Sequence, residues 1–152
     1  MSAATALIFA VVPLVAADDP AQDLKKERDK LEGEWTIVSV EGKGKKLPDD
    51  YIKGWKLTIK GDQWTFMSRK TEYKSTFKID PAKDPKTIDL TGKSFDLTKG
   101  ADVESLSPGI YKLEGDTLTV CRTSFDPERP KEFKTTEETG ARRIEVWKRA
   151  KK

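Results

Sequence analysis

The chain has 152 residues, 36% of them charged, and its formal net charge is only +3. This length suits one domain with a single core, and so small a charge excludes the strong positive field that attracts nucleic acid. Histidine is absent and Cys121 is the single cysteine, which excludes an internal disulfide, the usual zinc ligands and a histidine base. We therefore expect a protein that is not an enzyme and that needs no metal or other cofactor.

The first segment has the pattern of an export signal. Residues 6–17 form an apolar run that is followed directly by two acids and a proline. The run is too short to cross a bilayer as a helix, and the slim side chains of Val15 and Ala17 suit signal peptidase. Residues 1–17 are predicted to be a cleaved signal peptide, with a buried or interfacial helix as the alternative. No transmembrane segment is expected, and the location is periplasmic or secreted.

A short helix is predicted next, within residues 18–33. Asp19 can accept a hydrogen bond at its start, a proline suits its first turn, and Gly33 is a natural C-terminal glycine. Its apolar stripe consists of only Leu24 and Leu31. We expect such a helix to close one end of a larger structure.

Residues 34–149 alternate apolar with polar side chains, which is the period of a strand with one buried face. Eight such segments are separated by turns rich in glycine and aspartate. Their apolar members are Trp35 and Ile37; Trp55, Leu57 and Ile59; Trp64 and Phe66; Tyr73, Phe77 and Ile79; Ile88 and Leu90; Tyr111 and Leu113; Leu118 and Val120; and Ile144 and Val146. Glycine at the first turn position predicts tight hairpins at Gly61 and Gly115.

Short strands without intervening helices exclude a parallel α/β fold and indicate an antiparallel meander. Closure of eight strands into a barrel removes the exposed edges, and its interior is then either filled by side chains or wide enough for one small ligand. The predicted barrel spans residues 34–149, and residues 150–152 form a basic tail.

The segment Gly33-Glu34-Trp35 resembles the lipocalin signature, in which a short helix precedes Gly-x-Trp at the start of the first strand. The resemblance implies that a basic residue of the last strand, Arg149 or Arg143, covers Trp35 by a cation–π contact. The implied structural signature is therefore Gly33, Trp35 and Arg149.

The longer sequence blocks are similar to an uncharacterised family of exported proteins that is numerous in planctomycete bacteria. These blocks span nearly all of residues 31–149. They are residues 31–35, 47–48, 84–90, 109–111, 118–121, 129–133 and 148–149. The family implies a lipocalin-like domain and has no agreed activity, so it supplies no catalytic residue. The expected fold is mainly β: a single antiparallel eight-stranded lipocalin-like meander barrel with a short N-terminal helix.

Aromatic side chains are the feature that suggests a binding site. Those that share the predicted buried face are Trp55, Trp64, Phe66, Tyr73, Phe77 and Tyr111. Such a wall suits an apolar or ring-shaped ligand, although ordinary core packing in a small barrel explains it as well. Arg129 and Glu132, in the loop before the last strand, either rim a pocket or pin the loop.

Two functions fit these features. One is an exported, non-catalytic module that binds a small apolar ligand in the barrel. The other is an extracytoplasmic protein–protein or envelope interaction domain with a filled core, which uses its outer face or its basic chain end. Residues 141–152 hold six basic side chains and one acid. An open apolar interior favours the first function, and a filled interior favours the second.

Overall fold

The computed structural model describes residues 19–96, 98–124 and 126–151, without the side chains of residues 94–96. The predicted signal peptide, residues 1–17, lies outside the described residues. The helices are α1 (Pro20–Leu31), α2 (Asp49–Ile52) and a 3₁₀ turn (Glu137–Thr139). The strands are β1 (Gly33–Gly42), β2 (Lys45–Lys46), β3 (Lys56–Lys60), β4 (Gln63–Ser68), β5 (Thr71–Asp80), β6 (Lys86–Asp96), β7 (Ala101–Glu114), β8 (Thr117–Arg122) and β9 (Arg143–Arg149).

The strands form a closed antiparallel barrel. Strands β3 to β9 pair in chain order, and β1 pairs with both β3 and β9, so eight strands complete the circle. The two-residue β2 is an addition to the far end of β1. Closure leaves no long unpaired edge among these strands. The predicted eight-stranded meander barrel is confirmed.

Two tight turns follow the predicted positions. In the β3–β4 hairpin, Lys60 pairs with Gln63, and Gly61 has a φ of 59°. The β7–β8 hairpin repeats this arrangement, with Gly115 also at 59°. Positive φ favours glycine because it has no Cβ, so both hairpin predictions are confirmed.

Helix α1 closes one end of the barrel, as its sparse apolar stripe predicted. The Asp19 carboxylate caps it by accepting from the Ala21 amide at 3.0 Å, and Leu31 is fully buried. The buried Glu27 accepts from Lys86 Nζ at 2.6 Å and from the Tyr111 hydroxyl at 3.3 Å. Burial raises the pKa of the Tyr111 hydroxyl, so the hydroxyl remains a donor to this carboxylate.

The junction between α1 and β1 is organised around Trp35. Its indole is 1% exposed and donates to the Leu31 carbonyl at 3.0 Å. The Arg149 guanidinium carbon lies 4.2 Å from the Trp35 ring centroid, whereas Arg143 lies at the opposite end of β9. A Cβ at Gly33 would lie 3.0 Å from Arg149 Nη1. Gly33 therefore makes room for the arginine at the start of β1, and it directly follows the Glu32 C-cap of α1 with a φ of 132°.

The face of β9 that points into the barrel is the opposite of the one predicted. Glu145 and Trp147 are 3% and 1% exposed, whereas Ile144 and Val146 are only half-buried. Pairing with β8 sets the register of β9 and places Trp147 opposite the buried Leu118. The prediction that Ile144 and Val146 share the barrel interior is wrong. The charged Glu145 faces inward, so the polar positions of β9 do not mark its outer face.

The loop before β9 packs on the outside of the barrel. Arg129 donates to the carbonyls of Ile88 at 3.1 Å and Gly109 at 2.7 Å, and to the Asp89 carboxylate at 2.6 Å. Two roles were predicted for Arg129, at the rim of a pocket or in holding the loop, and these contacts show that it holds the loop on the barrel. The Glu132 carbonyl is also used for packing, since it accepts from the Cys121 thiol at 3.6 Å.

Candidate functional site

A cavity of about 370 Å³ opens at the end of the barrel opposite α1. One of its walls is aromatic and is built by β4, β5 and the residue before β3. Trp55 meets Phe66 edge to face, with the ring centroids 5.1 Å apart, and Phe66 stacks on Tyr73 at 5.7 Å. Such rings offer large apolar faces to a bound molecule at low cost in conformational entropy.

Four of the six predicted binding aromatics line this cavity, namely Trp55, Trp64, Phe66 and Tyr73. Phe77 and Tyr111 do not line it. Phe77 is 1% exposed and packs edge to face on Trp64, while Tyr111 points to α1. Tyr73 was predicted to be buried but is 51% exposed, because it lies at the start of β5, where the barrel opens.

The facing wall is polar and consists of small residues. Its hydroxyls belong to Ser75 on β5, Ser105 and Ser107 on β7, and Ser124 after β8. Gly92 on β6 pairs with both Ser75 and Ser105, and a Cβ there would lie 2.5 Å from Ser75 Oγ. Small side chains on neighbouring strands leave the space that larger ones would fill. The sequence carried this signal as inward positions occupied by serine and glycine.

A buried ion cluster lies at the base of the polar wall. Arg122 donates to Glu145 Oε1 at 3.0 Å and to Ser107 Oγ at 3.2 Å. Arg143 Nε lies 2.7 Å from the same Glu145 oxygen, in a direction that makes no hydrogen bond. The Glu145 side chain is 3% exposed, against 13% for Arg122 and 33% for Arg143. Sequence analysis missed this cluster, because charged residues at alternate positions read as an outward-facing strand.

Several donors around the cavity have no acceptor. The indole nitrogen of Trp55 and the Nε atoms of Arg122 and Arg143 are buried without a hydrogen-bond partner. A buried donor without a partner costs free energy, about 1–3 kcal/mol for each group. The described lining residues include Lys93, Arg122 and Arg143 but no acid and no histidine. The cavity lining therefore carries positive charge that no acid among the described lining residues balances.

The mouth of the cavity is apolar. Tyr51, Tyr73 and Leu106 line it and are each more than half exposed. Arg69 lies over the Tyr51 ring, with its guanidinium carbon 5.8 Å from the centroid. Large apolar side chains gathered around an opening are a common mark of a binding surface.

Cys121 has no part in the cavity. It is fully buried on the outer face of β8, under the loop that precedes β9. Burial raises the pKa of its thiol to about 11. A cysteine in such a place packs as a small apolar group.

The Cys121 thiol is therefore expected to be inert in the folded protein. Against an unfolded value of 9.0, a pKa of about 11 leaves roughly a hundred-fold less thiolate at pH 8. A chromogenic disulfide reagent should react at least that much more slowly with the native protein than with the protein in denaturing urea. The native rate should keep rising up to pH 11, and a rate that levels off near pH 9 would contradict the assignment.

No protein-family model, curated protein or solved structure matches the chain. The similarity to the planctomycete family therefore stays a prediction. Within the described parts of the chain, no helix is long and apolar enough to cross a membrane. Among those same residues, no group of three cysteine, aspartate or glutamate side chains is placed to hold a metal ion.

Proposed function

We propose that the protein is a non-catalytic binding module that holds a small molecule in the cavity at the open end of the barrel. The observation that carries this proposal is the aromatic wall, which faces a space of about 370 Å³. Ligand sites usually measure about 300–1,000 Å³ and are lined mainly by apolar and aromatic groups with a few placed polar ones. The cavity lies within that range, so a small ligand fits it best.

The polar wall changes the ligand expected from the sequence. A wholly apolar molecule would remove water from the hydroxyls of Ser75 and Ser124 and from the charged groups of Arg122 and Arg143, at a cost in free energy. A molecule with an apolar body and one polar end matches both walls. The apolar body lies against Trp55, Trp64 and Phe66, and the polar end faces Arg122 and Arg143.

Binding without catalysis is favoured by the groups beside the serine hydroxyls. A nucleophilic serine needs a neighbouring base to take its proton. The described residues that line the cavity include no carboxylate and no histidine. We infer that the hydroxyls act as hydrogen-bonding groups.

The second function, an interaction domain with a filled core, has less support. The interior is filled near α1 by residues such as Leu57, Ile59 and Leu118, but not at the other end. The basic residues near the chain end do not all form one surface, since Arg143 lines the cavity and Arg149 covers Trp35. These two charges are then committed to contacts within the barrel and are not part of an outward basic surface.

We also propose that the protein acts outside the cytoplasm, after removal of residues 1–17. The support for this proposal is the apolar run that ends at Ala17. Expression of the full chain in a bacterium, followed by fractionation and mass spectrometry, tests it. The expected product is extracytoplasmic and begins at Asp18, and a cytoplasmic product of full length would contradict the proposal.

Blocking the cavity tests the binding function. Ser105→Trp places a large ring inside the cavity from the polar wall. Glu104→Trp adds the same ring one residue earlier on β7, where the side chain points outward because strand residues alternate faces. Isothermal titration calorimetry with 2-naphthamide and 2-naphthoate compares both variants with the unchanged protein.

We expect measurable binding of at least one probe to the unchanged protein and to Glu104→Trp, and a loss of at least ten-fold in Ser105→Trp. Equal binding by the two variants would place the probe outside the barrel and overturn the proposal. Absence of binding by both probes to the unchanged protein would overturn it too. Circular dichroism confirms that each variant keeps its β structure.

A further inference from the structure

The charge of the cavity base indicates which kind of polar end it accepts. Arg122 and Arg143 share the single carboxylate of Glu145. The formal sum of the three side chains is one positive charge. Since the described lining residues include no acid, that charge has no counterion inside the cavity.

The donors that this cluster presents to the cavity belong to guanidinium groups. Arginine presents a planar array of N–H groups that matches the two oxygens of a carboxylate. The side chains of Arg122 and Arg143 both line the cavity, and that of Arg143 is 33% exposed. A neutral ligand would satisfy part of this donor set but would leave the positive charge in place.

We propose that the ligand is a small amphipathic carboxylate whose acid group lies on Arg122 and Arg143 and whose apolar body lies against the aromatic wall. This inference rests on the proposed function and specifies its ligand class. A monoanion balances the one uncompensated charge of this cluster.

A pair of probes with the same shape tests the charge requirement. The probes are 2-naphthoate, an anion, and 2-naphthamide, its neutral amide. Isothermal titration calorimetry measures the dissociation constant of each for the unchanged protein at neutral pH. We expect the naphthoate to bind at least ten-fold more tightly, which corresponds to about 1.4 kcal/mol.

Three variants locate the charge that makes the difference. In Arg122→Gln and in Arg143→Gln, the preference for the naphthoate should fall to less than three-fold. Lys93→Gln is the matched control, because Lys93 also lines the cavity but lies outside the cluster. It should keep most of the preference. Arg143 is the more exposed arginine, so its variant gives the result even if Arg122→Gln does not fold.

Each outcome bears on a different statement. Equal affinity of the two probes for the unchanged protein would overturn the carboxylate inference and leave the binding function intact. A preference that survives both arginine variants but is lost in Lys93→Gln would overturn the assignment to the cluster. If neither probe bound, the proposed function and this inference would both be overturned.

Discussion

Replacement of Glu145 by glutamine is expected to lower the free energy of unfolding by about 3 kcal/mol. The Glu145 side chain is 3% exposed and compensates Arg122 and Arg143. Removal of one partner from a buried ion cluster leaves uncompensated charge in a poorly solvated place, and this penalty exceeds the loss of the hydrogen bond itself. Because the Arg143 side chain is 33% exposed, water relieves part of the penalty and keeps the effect near the lower end of the usual range.

Urea unfolding of the two proteins, followed by Trp fluorescence, measures this difference through the midpoint and the slope. The control is Glu114→Gln, which removes an exposed partner of Lys112 on the same barrel, at 3.2 Å. Exposed ion pairs contribute little, so this variant should change stability by less than about 0.5 kcal/mol. Similar losses in the two variants would show that the Glu145 cluster is as well solvated as a surface pair.

Much of the fold was predictable because each step is local. The Asp19 cap, the turns at Gly61 and Gly115 and the alternation of Trp55, Leu57 and Ile59 depend on neighbouring residues only. Closure followed from the number of strands, since an open sheet of eight short strands exposes two edges. These features are all present in the barrel.

The site was only half predictable, because its polar wall depends on register. Alternation assigns an inward face from apolar residues, and β9 offered Ile144 and Val146 as that pair. The true inward pair includes Glu145, which is acceptable in the interior only because Arg122 on the neighbouring strand pairs with it. A charge that is compensated across strands cannot be recognised from one strand alone.

The extent of the cavity was beyond sequence reasoning for a related reason. The predicted aromatic positions are right as interior positions for Trp55, Trp64 and Phe66, yet Phe77 lies at a depth where the barrel is filled. Depth along the barrel is set by the stagger of all eight strands together. The pattern within a single strand predicts which side of the sheet a side chain is on, but not its position along the barrel axis.

Replacement of Trp35 by alanine is expected to cost about 3–5 kcal/mol of stability, the usual range for a fully buried tryptophan. The indole joins three parts of the molecule. It packs in the core, it donates to the Leu31 carbonyl at the end of α1, and it lies under Arg149 at the end of β9. Its loss leaves a cavity and removes the surface on which the Arg149 guanidinium lies.

Because Arg149 also donates to the carbonyls of Lys30 at 2.6 Å and Glu32 at 2.7 Å, the loss should loosen α1 before the rest of the barrel. Amide hydrogen exchange in residues 20–31 is expected to accelerate more in Trp35→Ala than exchange in β7 and β8. Val38→Ala is the control on the same strand, since Val38 is 52% exposed and should change neither measurement appreciably. Uniform acceleration throughout the barrel would show that α1 and the strands unfold as one unit, and that Trp35 stabilises the core without holding the helix separately.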